Sequence, residues 1–278
     1  MKIIRFFSSF CSSEQCTQSL SDEWQVHNDP EYGKTYKFTC NDDYTHVVLL
    51  NTAMPTLNIP KENVIGLAYE PFEYLYLTYN FIEYAKKYIG KYFIGSKYNL
   101  PEPFMEYFAY MGHTIPPNKI PSKLKKMSII FSDKKDAIGH KYRHELVNII
   151  LKTNLPIDIY GRGCDTLLDI KDDRIKGKFV NNEPYLEYNY HIAIENFRHN
   201  AYISEKFMNC LLCKCIPIYL GAYKVDDYFP NSCFKLSGNI EIDIKLITAI
   251  CDGKMVSIKK NIEYPSKMKF IEFIKNEW

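Results

Sequence analysis

The sequence predicts an α/β protein built on mostly parallel sheets and divided into two domains. Two observations carry this. Short apolar runs alternate with amphipathic stretches along the chain, the pattern of strands covered by helices. A stretch rich in proline and lysine near the middle reads as an exposed connection. Composition agrees: 278 residues, 46% hydrophobic and 24% charged, is ordinary globular usage and enough chain for two cores. A disordered or fibrous chain is excluded.

In the first half, Lys2–Phe7, His46–Leu50 and Asn63–Ala68 read as buried strands, with a polar turn at Asn41-Asp42-Asp43. Tyr74 to Tyr92 is aromatic-rich, and its apolar residues are too frequent to define one helical face. His113 to Met127 holds Pro116, Pro117 and Pro121, then Lys123, Lys125 and Lys126. An exposed linker is expected there, with the boundary near residue 120: residues 1–120 form an N-terminal domain and 121–278 a C-terminal one. Met127–Ser132 is then a strand. Gly139–Thr153 is a helix whose Tyr142, Leu146, Ile149, Ile150 and Thr153 recur at spacings of three and four. Pro156–Tyr160 is a strand closed by Gly161, and Tyr190–Ile194 another. Ser204–Lys214 is a helix, Ile216–Leu220 a strand stopped by Gly221, and Ile240–Cys251 and Pro265–Lys275 are two more helices.

Several function classes drop out. Lys+Arg total 35 against 33 Asp+Glu, so nothing suggests a nucleic-acid or polybasic membrane surface. No run approaches the ~18 apolar residues of a spanning helix. Arg5 interrupts the apolar start, which reads as a strand rather than a secretory leader. The nine cysteines are an odd number in a long chain, which argues against a disulfide framework. With no Asn-x-Ser/Thr acceptor, a cytoplasmic location is expected. Cys210, Cys213 and Cys215 have no second cluster to complete a zinc site and read as small apolar residues. Gly90 to Lys97 mimics a phosphate loop but ends Ser-Lys, the reverse of the required order. G-x-S-x-G and G-x-G-x-x-G are both missing, which disfavours α/β-hydrolases and nicotinamide enzymes. Asp-x-Asp is missing too. A nucleotide sugar, if handled, would have its phosphates neutralised by side chains rather than by a carboxylate-held divalent ion; no metal ligand and no cofactor is expected.

The informative segment is Tyr190-His-Ile-Ala-Ile-Glu-Asn-Phe-Arg-His-Asn-Ala-Tyr202-Ile-Ser-Glu-Lys206. A buried strand ends at Glu195 and Asn196, and open α/β sheets bind ligands at that edge. Ser204 is a plausible N-cap and Glu205 suits the positive end of the following helix. Lys206 opposes that dipole, which makes sense if an anion such as a diphosphate binds there; its removal is expected to leave folding intact.

Ala193, Glu195-Asn196, Tyr202, Ser204-Glu205-Lys206 and Asn209, followed by Ile216-Pro217-Ile218-Tyr219-Leu220-Gly221, resemble the donor-binding signature of glycosyltransferase family 10, the α-1,3/α-1,4-fucosyltransferases. The resemblance covers about residues 124–236, with the first half matching in outline only, through Ile65 to Pro71. It implies a GT-B-like architecture, two Rossmann-like domains facing a cleft, and inverting transfer of fucose from GDP-fucose to an acceptor glycan or glycolipid. Another nucleotide sugar, or a catalytically inactive GT-B module, is the alternative. Carried over by position, Lys206 contacts the diphosphate, Tyr202 and Glu205 line the nucleotide, and Glu195 and Asn196 lie near fucose and phosphates. A basic residue at the first donor-domain helix also grips phosphate: Arg143 is preferred for its guanidinium fork, with His140 and Lys141 as alternatives. Phe197 stands where many members have Ser. Glu70, at the end of Val64–Ala68 and before Pro71, is the candidate general base, with Glu73 its rival.

Overall fold

The structure is a computed structural model that describes residues 1–23, 26–109, 117–255 and 270–278. It separates into two compact units, one of Met1–Ile115, His199–Ser204 and Pro265–Trp278, the other of Pro116–Arg198 and Glu205–Tyr264. The division is therefore not a single cut, because two later segments return to the first unit.

The strands of the first unit are β1 (Lys2–Ser8), β2 (Tyr36–Thr39), β3 (His46–Leu50), β4 (Val64–Leu67), β5 (Lys91–Ile94) and β6 (Phe104–Glu106). They pair in parallel in the order β2-β1-β3-β4-β5-β6, a doubly wound arrangement. Helices α1 (Ser13–Glu23), α2 (Phe72–Leu75) and α3 (Tyr79–Tyr88) lie between strands. β3 and β4 are buried almost residue by residue, from Val47 to Leu50 and from Val64 to Leu67, as strands covered on both faces must be. The aromatic stretch that gave no clear period divides into a helix, α3, and a strand, β5. Thr78 caps α3 through its side chain. The sequence that mimics a phosphate loop is β5 itself.

In the second unit β7 (Lys125–Ile130), β8 (Ile157–Tyr160), β9 (Ile175–Gly177), β10 (Tyr188–Ile194), β11 (Ile216–Leu220) and β12 (Phe234–Lys235) pair in parallel in the order β9-β8-β7-β10-β11-β12. This is the 3-2-1-4-5-6 winding of dinucleotide-binding folds. Its chain order reverses between β7 and β10, so a ligand crevice is expected at their C-terminal ends. Helices α4 (Ile138–Ile150), α5 (Glu183–Leu186), α6 (Glu205–Leu212), α7 (Val225–Tyr228) and α8 (Ile240–Cys251) follow in turn. α4 buries Tyr142, Leu146, Val147 and Ile150 against Ile129, Ile159 and Ile192.

Three expectations change. Lys123 is not a solvated linker residue: its ammonium donates to the carbonyls of Tyr185, Leu186 and Cys213 at 2.7–2.9 Å, at the C-terminal ends of α5 and α6. Cys11 and Cys16 form a disulfide, while the other seven cysteines are free. The last helix is α9 (Phe270–Glu277), and it packs in the first unit, where Phe270 meets Phe6 and Phe38 and Phe273 meets Phe93. Residues 265–269 and Pro116 lie outside the described residues.

The core of the second unit contains a pH-sensitive polar pair. Ser128 donates to the Pro184 carbonyl, so the buried His191 beside it carries its proton on Nδ1 and donates to the Ser128 oxygen at 2.7 Å. Burial pushes the His191 pKa down to about 3. The unfolded chain takes up this proton near pH 6.5, whereas the folded chain does not. Stability from this residue is therefore complete above that pH and is lost as pH falls, by about 3 kcal/mol at pH 4. Denaturant midpoints between pH 7 and pH 4 should drop less steeply for His191→Gln than for wild type; parallel curves would disprove the assignment.

Candidate donor site and base-bearing turn

The second unit gathers five of the seven residues singled out in the sequence. β10 ends at Ile194, and Glu195 and Asn196 follow it on one side of the switch point. α4, which follows β7, begins on the other side. The two approach closely because residue 139 is glycine: a Cβ there would lie 1.8 Å from the Glu195 carbonyl oxygen. The Gly139 N–H donates to the Asn196 carbonyl at 2.9 Å. One turn further, Arg143 is buried, and its guanidinium donates to the Asn196 Oδ1 at 2.6 Å and to the Gly139 carbonyl at 3.1 Å. Arg143 thus bridges the two sides of the switch point. Of its alternatives, Lys141 is exposed on α4. His140 is buried and accepts the Ala137 N–H. Burial, with the Arg143 charge, lowers the His140 pKa and favours the neutral ring.

Glu195 is buried, and its carboxylate accepts from the Tyr219 hydroxyl at 3.3 Å. Lys206, in the first turn of α6, lies 2.8 Å from Glu205 and 3.8 Å from Glu195. Burial works against its charge, but the two carboxylates outweigh it and hold the pKa above the usual lysine range. Lys206 is therefore no lone cation facing a dipole but lies beside a buried acid. Gly221 is the matching close approach on β11's side, since a Cβ there would meet the Tyr219 ring and the Glu195 side chain at 2.2–2.6 Å. Two cations at the C-terminal edge of a parallel sheet, fixed by an amide and two carboxylates, can bind a polyanion such as a diphosphate.

Tyr202 and Glu70 belong to the first unit. Tyr202 is buried, and its hydroxyl donates to the Tyr69 carbonyl at 3.4 Å. Glu70 is exposed, three residues beyond the end of β4. The backbone just before it is held by a residue that the sequence reading passed over. Asn51, at φ 54°, accepts the Tyr69 N–H on its side chain at 2.8 Å and donates its own N–H to the Leu67 carbonyl. An Asn just after a buried strand was the available signal, because Asn tolerates the left-handed region. Glu73, the rival base, is 2.8 Å from His199 Nε2. Among the described residues no group of three His, Cys, Asp or Glu could hold a metal ion, and no helix is long and apolar enough to cross a membrane.

Residues 120–237 match the family model described as Glycosyltransferase family 10 (fucosyltransferase) C-term. The chain is 37% identical over 97 residues to Alpha-(1,3)-fucosyltransferase B of Drosophila melanogaster, covering 32% of this chain and 21% of that protein. It is 29% identical over 94 residues to a Putative fucosyltransferase-like protein of Arabidopsis thaliana, covering 34% of this chain and 17% of that one. The match thus spans about a fifth of the length of these curated relatives. A solved alpha1,3-fucosyltransferase with GDP-fucose superposes with TM-score 0.57 at 13% identity, over 99% of this chain and 90% of that one. That likeness is one of fold, and it places both units on the GT-B-like α/β plan. Residues 120–237 of this chain are therefore similar to the C-terminal domain of glycosyltransferase family 10.

Proposed function

We propose that this chain transfers fucose from GDP-fucose to a hydroxyl of an acceptor glycan, with inversion at the anomeric carbon. The observation that carries the reading is the Arg143–Asn196 bridge beside the Glu195–Lys206–Glu205 cluster at the switch point, on a segment that matches a fucosyltransferase family model. In this reading Arg143 and Lys206 offset the charge that develops on the departing GDP. Glu195, Asn196, Tyr202 and Glu205 are assigned to donor binding. Glu70 takes the proton of the acceptor hydroxyl, whose pKa lies far above neutrality and which needs a base within ~3 Å. The hydroxyl oxygen bonds to the anomeric carbon as the bond to the β-phosphate breaks, so no covalent intermediate forms. Between the two acids, Glu70 is preferred because it lies nearer the end of β4 and directly before Pro71, which restricts its backbone to extended conformations. A cytoplasmic location fits the seven free cysteines better than the Cys11–Cys16 pair.

Charge is met by side chains here, so donor binding should be independent of divalent ions. Calorimetry should show GDP binding more tightly than GMP or UDP, with the same affinity in EDTA. Loss of GDP binding in EDTA would refute the metal-free site, and preference for UDP would refute the donor.

A further inference from the structure

His199 sits in the donor signature, yet its bonds lead to the base-bearing turn of the first unit. The ring is 3% exposed. Nε2 is 2.8 Å from the Glu73 carboxylate and Nδ1 is 3.0 Å from the Tyr98 hydroxyl. A neutral imidazole satisfies both at once: Nε2–H donates to Glu73, and Nδ1 accepts the phenol O–H. Tyr98 is held at φ 47°, in the left-handed region that bulky residues rarely adopt, and its ring meets Phe72 edge-on at 4.9 Å.

The residues after His199 are fastened to the ends of β5 and β6. The Asn200 N–H donates to Ser96 Oγ at 2.9 Å, its side-chain amide donates to Glu106 at 2.8 Å, and the Ala201 N–H donates to the Gly95 carbonyl at 2.7 Å. A Cβ on Gly95 would meet the Tyr202 backbone at 2.8 Å. His199 is therefore held on a fixed frame, with its ring perpendicular to that of Tyr202 at 6.5 Å.

Glu70 needs such a frame. It is exposed, and the helix after it, α2, has only four residues, too few to hold their own geometry. Asn51 anchors the chain before Glu70, through Tyr69. His199 anchors the chain after it, through Glu73.

We propose that His199 is a positioning residue which, through the Tyr98–His199–Glu73 chain, fixes the direction of Glu70. The proposal rests on the reading of Glu70 as the base. His199→Leu removes both bonds, whereas His199→Gln offers a donor and an acceptor in their place. In the leucine variant the turnover rate should fall about 10- to 100-fold, the scale on which a ~1 Å misplacement costs rate, with GDP affinity by calorimetry unchanged. The glutamine variant should recover most of the rate. Glu73→Ala, at the exposed end of the chain, should reproduce the loss if the leucine variant folds poorly. Amide hydrogen exchange over residues 69–75 gives a readout independent of activity: it should quicken in His199→Leu and Glu73→Ala and stay near wild type in His199→Gln. Unchanged exchange in the leucine and alanine variants would overturn the proposal, whatever the activity. Quickened exchange with wild-type turnover would overturn it too. If wild type itself transfers nothing, the reading of Glu70 fails, and the exchange measurement still decides whether His199 holds the turn.

Discussion

Glu70→Gln should lower acceptor transfer by ~10²–10⁴-fold, the usual worth of a general base, while GDP affinity stays within a factor of two or so of wild type. The substitution keeps size and removes basicity. Glu70 is exposed at the sheet edge and lies beyond β4, and the Tyr69 N–H is bonded to Asn51. The contrast is Glu73→Gln, whose amide oxygen still accepts from His199 and whose transfer should fall no more than a few-fold. Initial rates with saturating donor decide between them. Normal transfer by Glu70→Gln together with a dead Glu73→Gln would move the base to Glu73.

Lys206→Met should damage both binding and folding. Losing a charge-assisted phosphate contact costs ~1.5–3 kcal/mol, or ~10- to 150-fold in GDP affinity. Glu195 is the reason that stability falls as well. It is buried, and Lys206 is the cation beside it at 3.8 Å. Removing a cation from beside a buried acid costs ~1–3 kcal/mol. Calorimetry at a temperature where circular dichroism shows the variant folded separates the two effects. Wild-type GDP affinity in a folded Lys206→Met would remove Lys206 from the donor site.

These two residues also mark how far a sequence can be read. Glu195, Asn196 and Lys206 stand out as a motif because the strand end, the loop and the helix start are local. The core strands were equally legible: Val47–Leu50 and Ile216–Leu220 are continuous apolar runs because both faces are covered. Edge strands were not. β2, β9 and β12 have four, three and two residues, and their pairing is imposed by the neighbouring strand rather than by a period of their own. That Lys206 also lies beside a buried acid could not be seen, because Glu195 is eleven residues away across a loop. Lys123 was misread for the same reason, its three carbonyls being 62 to 90 residues distant. Asn51 and His199 carry no motif, since each acts through a backbone or side chain that only the fold brings near. Gly139 could be seen, but its purpose could not: the atom it makes room for is the carbonyl oxygen of Glu195.

The reading of this chain as a fucosyltransferase is tested most directly by acceptor-dependent release of GDP from GDP-fucose, followed by mass analysis of the glycan. The expected result is GDP release that rises with acceptor concentration, one added deoxyhexose per product, β-linked GDP-fucose giving an α-linked product, and no loss of rate in EDTA. Tight GDP binding with no transfer to any member of a broad acceptor panel, or transfer only from a different nucleotide sugar, would contradict it.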